Sequence, residues 1–194
     1  DVLTYQFALA SGLPPERVLG TGTMLDTARL KNVLSRTLHV PPQSIHAHVV
    51  GEHGDSEVVL WSTATVAGVP LRKWPGWESG AEPRIADEVR TAAYEIIRRK
   101  GATNHAIGLV TSALLRSLVR GENRVLTVSR VQAGAIGIRD VALSLPTIVG
   151  PGGGTQVLEP DLSDGERRAL ERSAASLPAG QRRHGGEPGA SRHG

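Results

Sequence analysis

RVLTVSRVQAGAIGIRDVALSLP, running from Arg124 to Pro146, sets the fold class of this chain. From Arg124 the apolar residues recur with a period of two, the spacing of strands whose successive side chains face opposite sides. Val125 to Val131, Ala135 to Ile138 and Asp140 to Leu145 read as three strands, closed by Pro146 and the glycines between 150 and 154. Upstream the period is helical. Ile107 to Val119 forms one helix, stopped by Gly121, and Ile85, Val89, Ala92, Ile96 and Ile97 mark a longer one that ends at Gly101. Strands and helices in separate runs predict an α+β domain, with helices packed on antiparallel sheet.

Further outward, Met24 to Leu38 carries Leu30, Leu34 and Leu38 on one helical face. Ile45 to Val50 alternates as a strand, with Ile45, Ala47 and Val49 on one side, and Val58 to Val66 is a second β-like run. Between them lies the polar loop Gly51-Glu52-His53-Gly54-Asp55-Ser56. Near the start, a helix to about Ala10 precedes the turn Gly12-Leu13-Pro14-Pro15 and a short β-like run, Arg17 to Leu19. Towards the end, Ser163-Asp164-Gly165-Glu166 has the pattern of a capping box opening a helix that buries Leu170, Ala174 and Leu177. Residues 1–177 form the folded domain. Residues 178–194 are Gly, Pro, Ser, Arg and His without periodicity, and read as a disordered basic tail.

The 194 residues, 39% hydrophobic and 21% charged, suit a globular domain with a sizeable core. Aromatic residues are only 3%, too few for a base-stacking surface. The net charge of +3 is concentrated in the tail, where Arg182, Arg183 and Arg192 face Glu187 alone. A near-neutral body argues against a nucleic-acid partner, leaving only a tail-mediated reading of that kind. No run is long and apolar enough to span a membrane, and the first residues carry no basic leader. The absence of cysteine excludes disulfides and a thiol nucleophile and fits a reducing, cytoplasmic location. The seven histidines show no metal-ligand spacing, so no metal is expected.

Three places combine residue types suited to chemistry. His53 stands in a glycine-rich loop, where the backbone turns sharply and leaves room beside an imidazole that exchanges a proton near neutral pH. The plain alternative is a solvated loop histidine. Asp26 and Arg29 lie three apart on one helical face. They form either an intrahelical ion pair or two site residues, the Asp orienting a histidine and the Arg gripping a carboxylate through two parallel hydrogen bonds. Thr103, in Lys100-Gly101-Ala102-Thr103, sits where one helix gives way to the next, a capping position by default. The glycine clusters Gly20-Thr21-Gly22 and Gly152-Gly153-Gly154 do not make a GxGxxG fingerprint.

Together these stretches resemble the NAD-dependent L-lactate dehydrogenases of the lactate/malate dehydrogenase family. The matching pieces are Asp1-Val2-Leu3-Thr4, Gly20 through Arg29, Gly51 through Ser56, Lys100 through Thr103 and Ser144-Leu145-Pro146. The resemblance implies the catalytic domain of that family. It implies His53 as proton donor and acceptor, oriented by Asp26, with Arg29 and Thr103 on the substrate and Thr21 and Ile107 beside the nicotinamide of NAD. The implied reaction interconverts pyruvate and L-lactate by hydride transfer, in a homotetrameric cytoplasmic enzyme of fermentative and glycolytic carboxylic acid metabolism. Lys31 and His46 match the two positions that in many bacterial members bind the allosteric effector fructose 1,6-bisphosphate, with Lys31 replacing an arginine. The family's dinucleotide-binding half and its specificity loop are not among these 194 residues. The chain is therefore expected to be inactive alone. A lactate-like malate dehydrogenase, or a non-catalytic remnant that associates with intact subunits, stays open beside the lactate reading.

Overall fold

The structure, a computed structural model, describes residues 1–78, 80–100 and 104–177. Thr103 and the expected tail lie outside the described residues. Helix α1 (Val2–Ser11) ends at Gly12 in the left-handed conformation and leads through a 3-10 turn (Pro15–Arg17) to α2 (Met24–Leu38). Five two-residue strands follow: β1 (Ile45–His46), β2 (Val49–Val50), β3 (Val58–Val59), β4 (Thr65–Val66) and β5 (Val69–Pro70). Then come α3 (Ala81–Lys100), α4 (Asn104–Arg120), the long strands β6 (Arg124–Ala133) and β7 (Arg139–Gly150), β8 (Gly153–Val157) and α5 (Asp164–Ser176).

The sheets are antiparallel and helices cover them, the α+β architecture expected. Leu30, Val33 and Leu34 of α2 pack with Ile45, Val49 and Val66 of the short strands and with Ile85 and Val89 of α3. Leu143 and Leu145 of β7 pack with Val50, Leu60 and Leu170 of α5. Met24, Leu114, Val128 and Val149 join α2 and α4 to the long strands. The Ser163–Glu166 capping box is present, and Glu166 also takes the backbone N–H and hydroxyl of Ser62, tying α5 to the loop after β3. Burial presses the Glu166 carboxyl upward, and these Ser62 and Ser163 hydrogen bonds outweigh it, leaving its pKa below the ordinary value.

Four strand readings need correction. Arg17 to Leu19 is no strand, because the 3-10 turn consumes Arg17, and Gly20 alone reaches the sheet. Ile45 to Val50 is split between two sheets: the alternation holds as far as Val49, which enters one core, and Val50 beside it enters the other. Val58 to Val66 is likewise interrupted, giving β3 and β4. Ala135 to Ile138 is no strand: Ala135–Gly137 is the 3-10 turn of a hairpin, preceded by Gly134 and ended by Gly137 at φ 128° and 80°.

Pro146 does not close β7, which continues to Gly150 and pairs with β8 across the glycine run. Residues of an antiparallel strand alternate between their two neighbours in hydrogen bonding. Pro146 lies two residues from Ser144, whose N–H and carbonyl point away from β6 to Gly51. Its missing N–H therefore falls on that same side, beyond the end of β8, where its carbonyl accepts Leu158 N–H at 2.7 Å.

One rung of the long hairpin carries both chemical loops. Ser129 and Ser144 are register partners on β6 and β7. Gly20 exchanges two backbone hydrogen bonds with Ser129, at 2.8 and 3.0 Å, and Gly51 exchanges two with Ser144, at 2.8 and 2.9 Å. The loop before α2 and the loop carrying His53 thus dock on opposite sides of the same pair. Gly22 lies over the two serines with φ 46°; an added Cβ would overlap Ser144 Oγ and come within 2.8 Å of Ser129 N. Gly22→Ala is expected to cost at least about 1–3 kcal/mol, measured by chemical denaturation, whereas Gly12→Ala, which meets no atom within 4 Å, carries only its own backbone strain.

Candidate active site

Asp26 sits in the first turn of α2, 2% exposed, where the helix dipole favours a carboxylate. Its helix start is fixed from two directions. Thr23 N–H donates to Ser144 Oγ at 3.0 Å, and Thr23 Oγ1 donates to the Val49 carbonyl at 2.6 Å. Arg29, one turn later on the same face, donates from Nη1 to Asp26 Oδ1 at 3.0 Å. The expected intrahelical ion pair therefore exists, and it uses only one of the two Asp26 oxygens.

The second oxygen is taken by His53. The chain leaves the sheet at Gly51, whose φ of 90° turns it beside α5 with no room for a Cβ against Ser173. Glu52 N–H donates to Ser173 Oγ at 2.8 Å, and Ser56 Oγ bonds both Glu52 and α5. His53 N–H donates to Asp1 Oδ2 at 2.7 Å, while Ser129 Oγ donates to the other Asp1 oxygen. Held at both ends, the imidazole places Nδ1 2.7 Å from Asp26 Oδ2. Asp26 accepts the Nδ1 proton, which leaves Nε2 as the atom that exchanges with a ligand.

Burial is graded across the cluster: the Asp26 side chain is 2% exposed, Arg29 13% and His53 51%. The hydrogen bond to Asp26 raises the His53 pKa above its usual value, against partial desolvation and the Arg29 charge. The arrangement can hold an imidazolium, release its proton outward and present a guanidinium to an anion. Arg29 also lines a cavity of about 770 Å³ between α2, α3 and α4, whose lining includes neither Asp26 nor His53.

Two site residues escaped the sequence reading. Asp1 looks like the N-cap of α1, yet its side chain makes no capping bond and instead bridges His53 to Ser129. Glu57 lies four residues past His53, and the apolar pair Val58–Val59 draws it inward. Asp26, His53 and Glu57 place donor atoms within 4.8 Å of one another, the grouping among the described residues whose donors are closest to metal-like spacing. Both Asp26 oxygens are already engaged, one by the Arg29 guanidinium and one by the His53 imidazole, which suits proton chemistry better than ligation.

The remaining candidates separate into three groups. Thr21 is half-buried in the turn that opens α2, and its carbonyl accepts Met24 N–H. Ile107 is on α4, 37% exposed. Lys31 on α2 and exposed His46 on β1 both act electrostatically on half-buried His48, whose pKa burial, Lys31 and His46 push down to about 4. Desolvation and nearby Arg124 lower the Lys31 pKa, so Lys31 and Arg124 are neighbouring cations beside the two histidines, of which His48 is held neutral. Thr103 belongs to the residues not described.

Residues 23–184 match the lactate/malate dehydrogenase, alpha/beta C-terminal domain. The L-lactate dehydrogenase of Synechococcus sp. (strain JA-3-3Ab) is 48% identical over 178 residues, 91% of this chain and 58% of the relative. That of Thermus aquaticus is 48% identical over 182 residues, 91% of this chain and 59% of the relative. The crystal structure of the minor L-lactate dehydrogenase from Enterococcus mundtii in its ligands-bound form superposes with a TM-score of 0.90 at 38% identity, covering 94% of this chain and 59% of that one. The chain thus spans about three-fifths of the length of the relatives it matches. By sequence, and by the antiparallel fold that carries Asp26, Arg29 and His53, it belongs to the lactate/malate dehydrogenase family.

Proposed function

We propose that this chain supplies the proton-transfer and carboxylate-binding side of an L-lactate dehydrogenase, interconverting pyruvate and L-lactate. The observation that carries the reading is the division of one buried carboxylate, Asp26, between His53 Nδ1 and Arg29 Nη1. Arg29 keeps its other guanidinium donors for the substrate carboxylate, a bidentate grip that a lysine cannot reproduce. His53 gives its Nε2 proton to the carbonyl oxygen of the 2-oxo acid in reduction and takes it back in oxidation. Asp26 fixes the tautomer and stabilises the imidazolium, and Thr103 lines the substrate pocket by family resemblance.

NAD is the cofactor this reading implies, and when bound as NADH it supplies the hydride. By family resemblance, half-buried Thr21 and partly exposed Ile107 would meet its nicotinamide end. The start of α2 cannot cradle a pyrophosphate: Thr23 N–H is already spent on Ser144 Oγ, and the space over Gly22 is filled by Ser129 and Ser144. By resemblance the dinucleotide phosphates are expected on a separate glycine-rich unit, and this chain by itself is expected to be inactive. Leu3 and Phe7 on α1 and Leu109 and Val119 on α4 are 78%, 61%, 74% and 83% exposed, which supports covering of these helices by another subunit or by the dinucleotide-binding unit; a homotetramer in the cytoplasm is what the resemblance implies. The Lys31, His46, His48 and Arg124 cluster supports a phosphorylated effector such as fructose 1,6-bisphosphate there, with Lys31 acting as a point charge.

The test is a hybrid in which the 194-residue chain follows the N-terminal part of the Thermus aquaticus relative. Pyruvate-dependent NADH oxidation is expected, with His53→Gln lowering kcat by about 10²–10⁴. Arg29→Lys raises the pyruvate KM by roughly 10-fold or more, as loss of a charged hydrogen bond requires. A preference for oxaloacetate would replace lactate by malate, and no turnover of either acid would overturn the reading.

The pH dependence has a definite sign. His53 must be protonated for reduction, and its pKa is raised, so pyruvate reduction persists past the ordinary histidine midpoint and falls as pH rises through the raised one. Lactate oxidation, which needs neutral His53, rises over the same interval. Steady-state rates measured in both directions on the hybrid check this.

A further inference from the structure

Glu57 is unaccounted for by the mechanism above. Its Oε1 is buried and has no hydrogen-bond partner among the described residues, although its donor atom lies within 4.8 Å of those of Asp26 and His53. A buried carboxylate oxygen without a partner is costly when charged, and a second negative charge beside Asp26 raises that cost. Among the described residues, the charged groups that act on it are Asp26 and Arg29 on α2, Arg90 on α3 and His53 on its own loop. Arg29 is committed to Asp26, and Arg90 to Asp87 at 3.0 Å.

Resting on the dehydrogenase reading, we propose that Glu57 is a positioning residue which stays neutral beside the Asp26–His53 pair, so that losing its proton tightens His53's hold on its own proton and repels an anionic substrate from Arg29. With Glu57 neutral, Asp26 alone balances two cations, His53-H⁺ and Arg29, and the site keeps one positive charge to meet a monocarboxylate. With Glu57 ionised, that surplus is cancelled. Burial first, then the Asp26 charge, pushes the Glu57 carboxyl up to about 8, against the opposing pull of His53, Arg90 and Arg29. The neutral form therefore prevails at neutral pH, and the change falls in the mildly alkaline range.

Two measurements test this. In the 194-residue chain, carbon-13 NMR of Glu57 is expected to show titration near the elevated value, with the His53 ring signals inflecting at the same pH. Glu57→Gln removes that inflection, while an unchanged amide spectrum certifies the fold. In the hybrid, the pyruvate KM requires two protonated groups, so log KM climbs with pH at a limiting slope of about two in the parent and about one in Glu57→Gln. Titration of Glu57 with the ordinary carboxylates overturns the proposal without any variant. So does a slope that Glu57→Gln leaves unchanged. A hybrid that turns over no 2-oxo acid overturns the dehydrogenase reading instead, and the NMR titrations then report the Glu57–His53 coupling on their own, so the two failures are told apart.

Discussion

A carboxylate that is 2% exposed has to be paired, and the pairing of Asp26 with both His53 and Arg29 is the constraint on which the rest of this structure depends. The Arg29 bond alone would be an ordinary intrahelical contact. The two together fix the relative position of a proton donor and an anion clamp that lie on different elements, a helix and a loop. Because Asp26 is rigid and His53 half exposed, the orientation is set inside the protein while the exchange of the proton happens at its surface.

That pairing is delivered by the β6–β7 hairpin. The Ser129–Ser144 rung receives Gly20 on one side and Gly51 on the other, so the start of α2 and the start of the histidine loop share a single reference. Ser144 Oγ then caps Thr23 N–H, and Ser129 Oγ reaches Asp1, which holds His53 N–H. Glycine is required at position 22 for the approach to both serines, and at position 51 for the turn against Ser173. The small residues in the recognisable motifs thus serve the placement of the charged ones.

The helices and the Asp26, Arg29 and His53 constellation were legible from the sequence, because helical spacing and short motifs are local signals. Helix α2 spans Met24–Leu38 as its leucines indicate, and α5 opens on its capping box. The strands were read less well, for separate physical reasons. Val49 and Val50 are both buried, so alternation did not mark the break between two sheets. Pro146 breaks only a strand that needs its N–H, and here the missing N–H falls just beyond the end of β8. Asp1 and Glu57 could not be assigned from spacing. Asp1 acts on Ser129, 128 residues away, and Glu57 owes its importance to burial beside α2.

The most direct test is the proton affinity of His53 in the 194-residue chain, measured by NMR titration of its ring, alone and with Asp26→Asn. The account predicts a midpoint above that of an ordinary histidine in the parent and a clear fall in the variant, since the amide keeps the shape of Asp26 but not its charge. Identical titrations in the two proteins would show that the buried carboxylate does not govern the histidine, and would contradict the account.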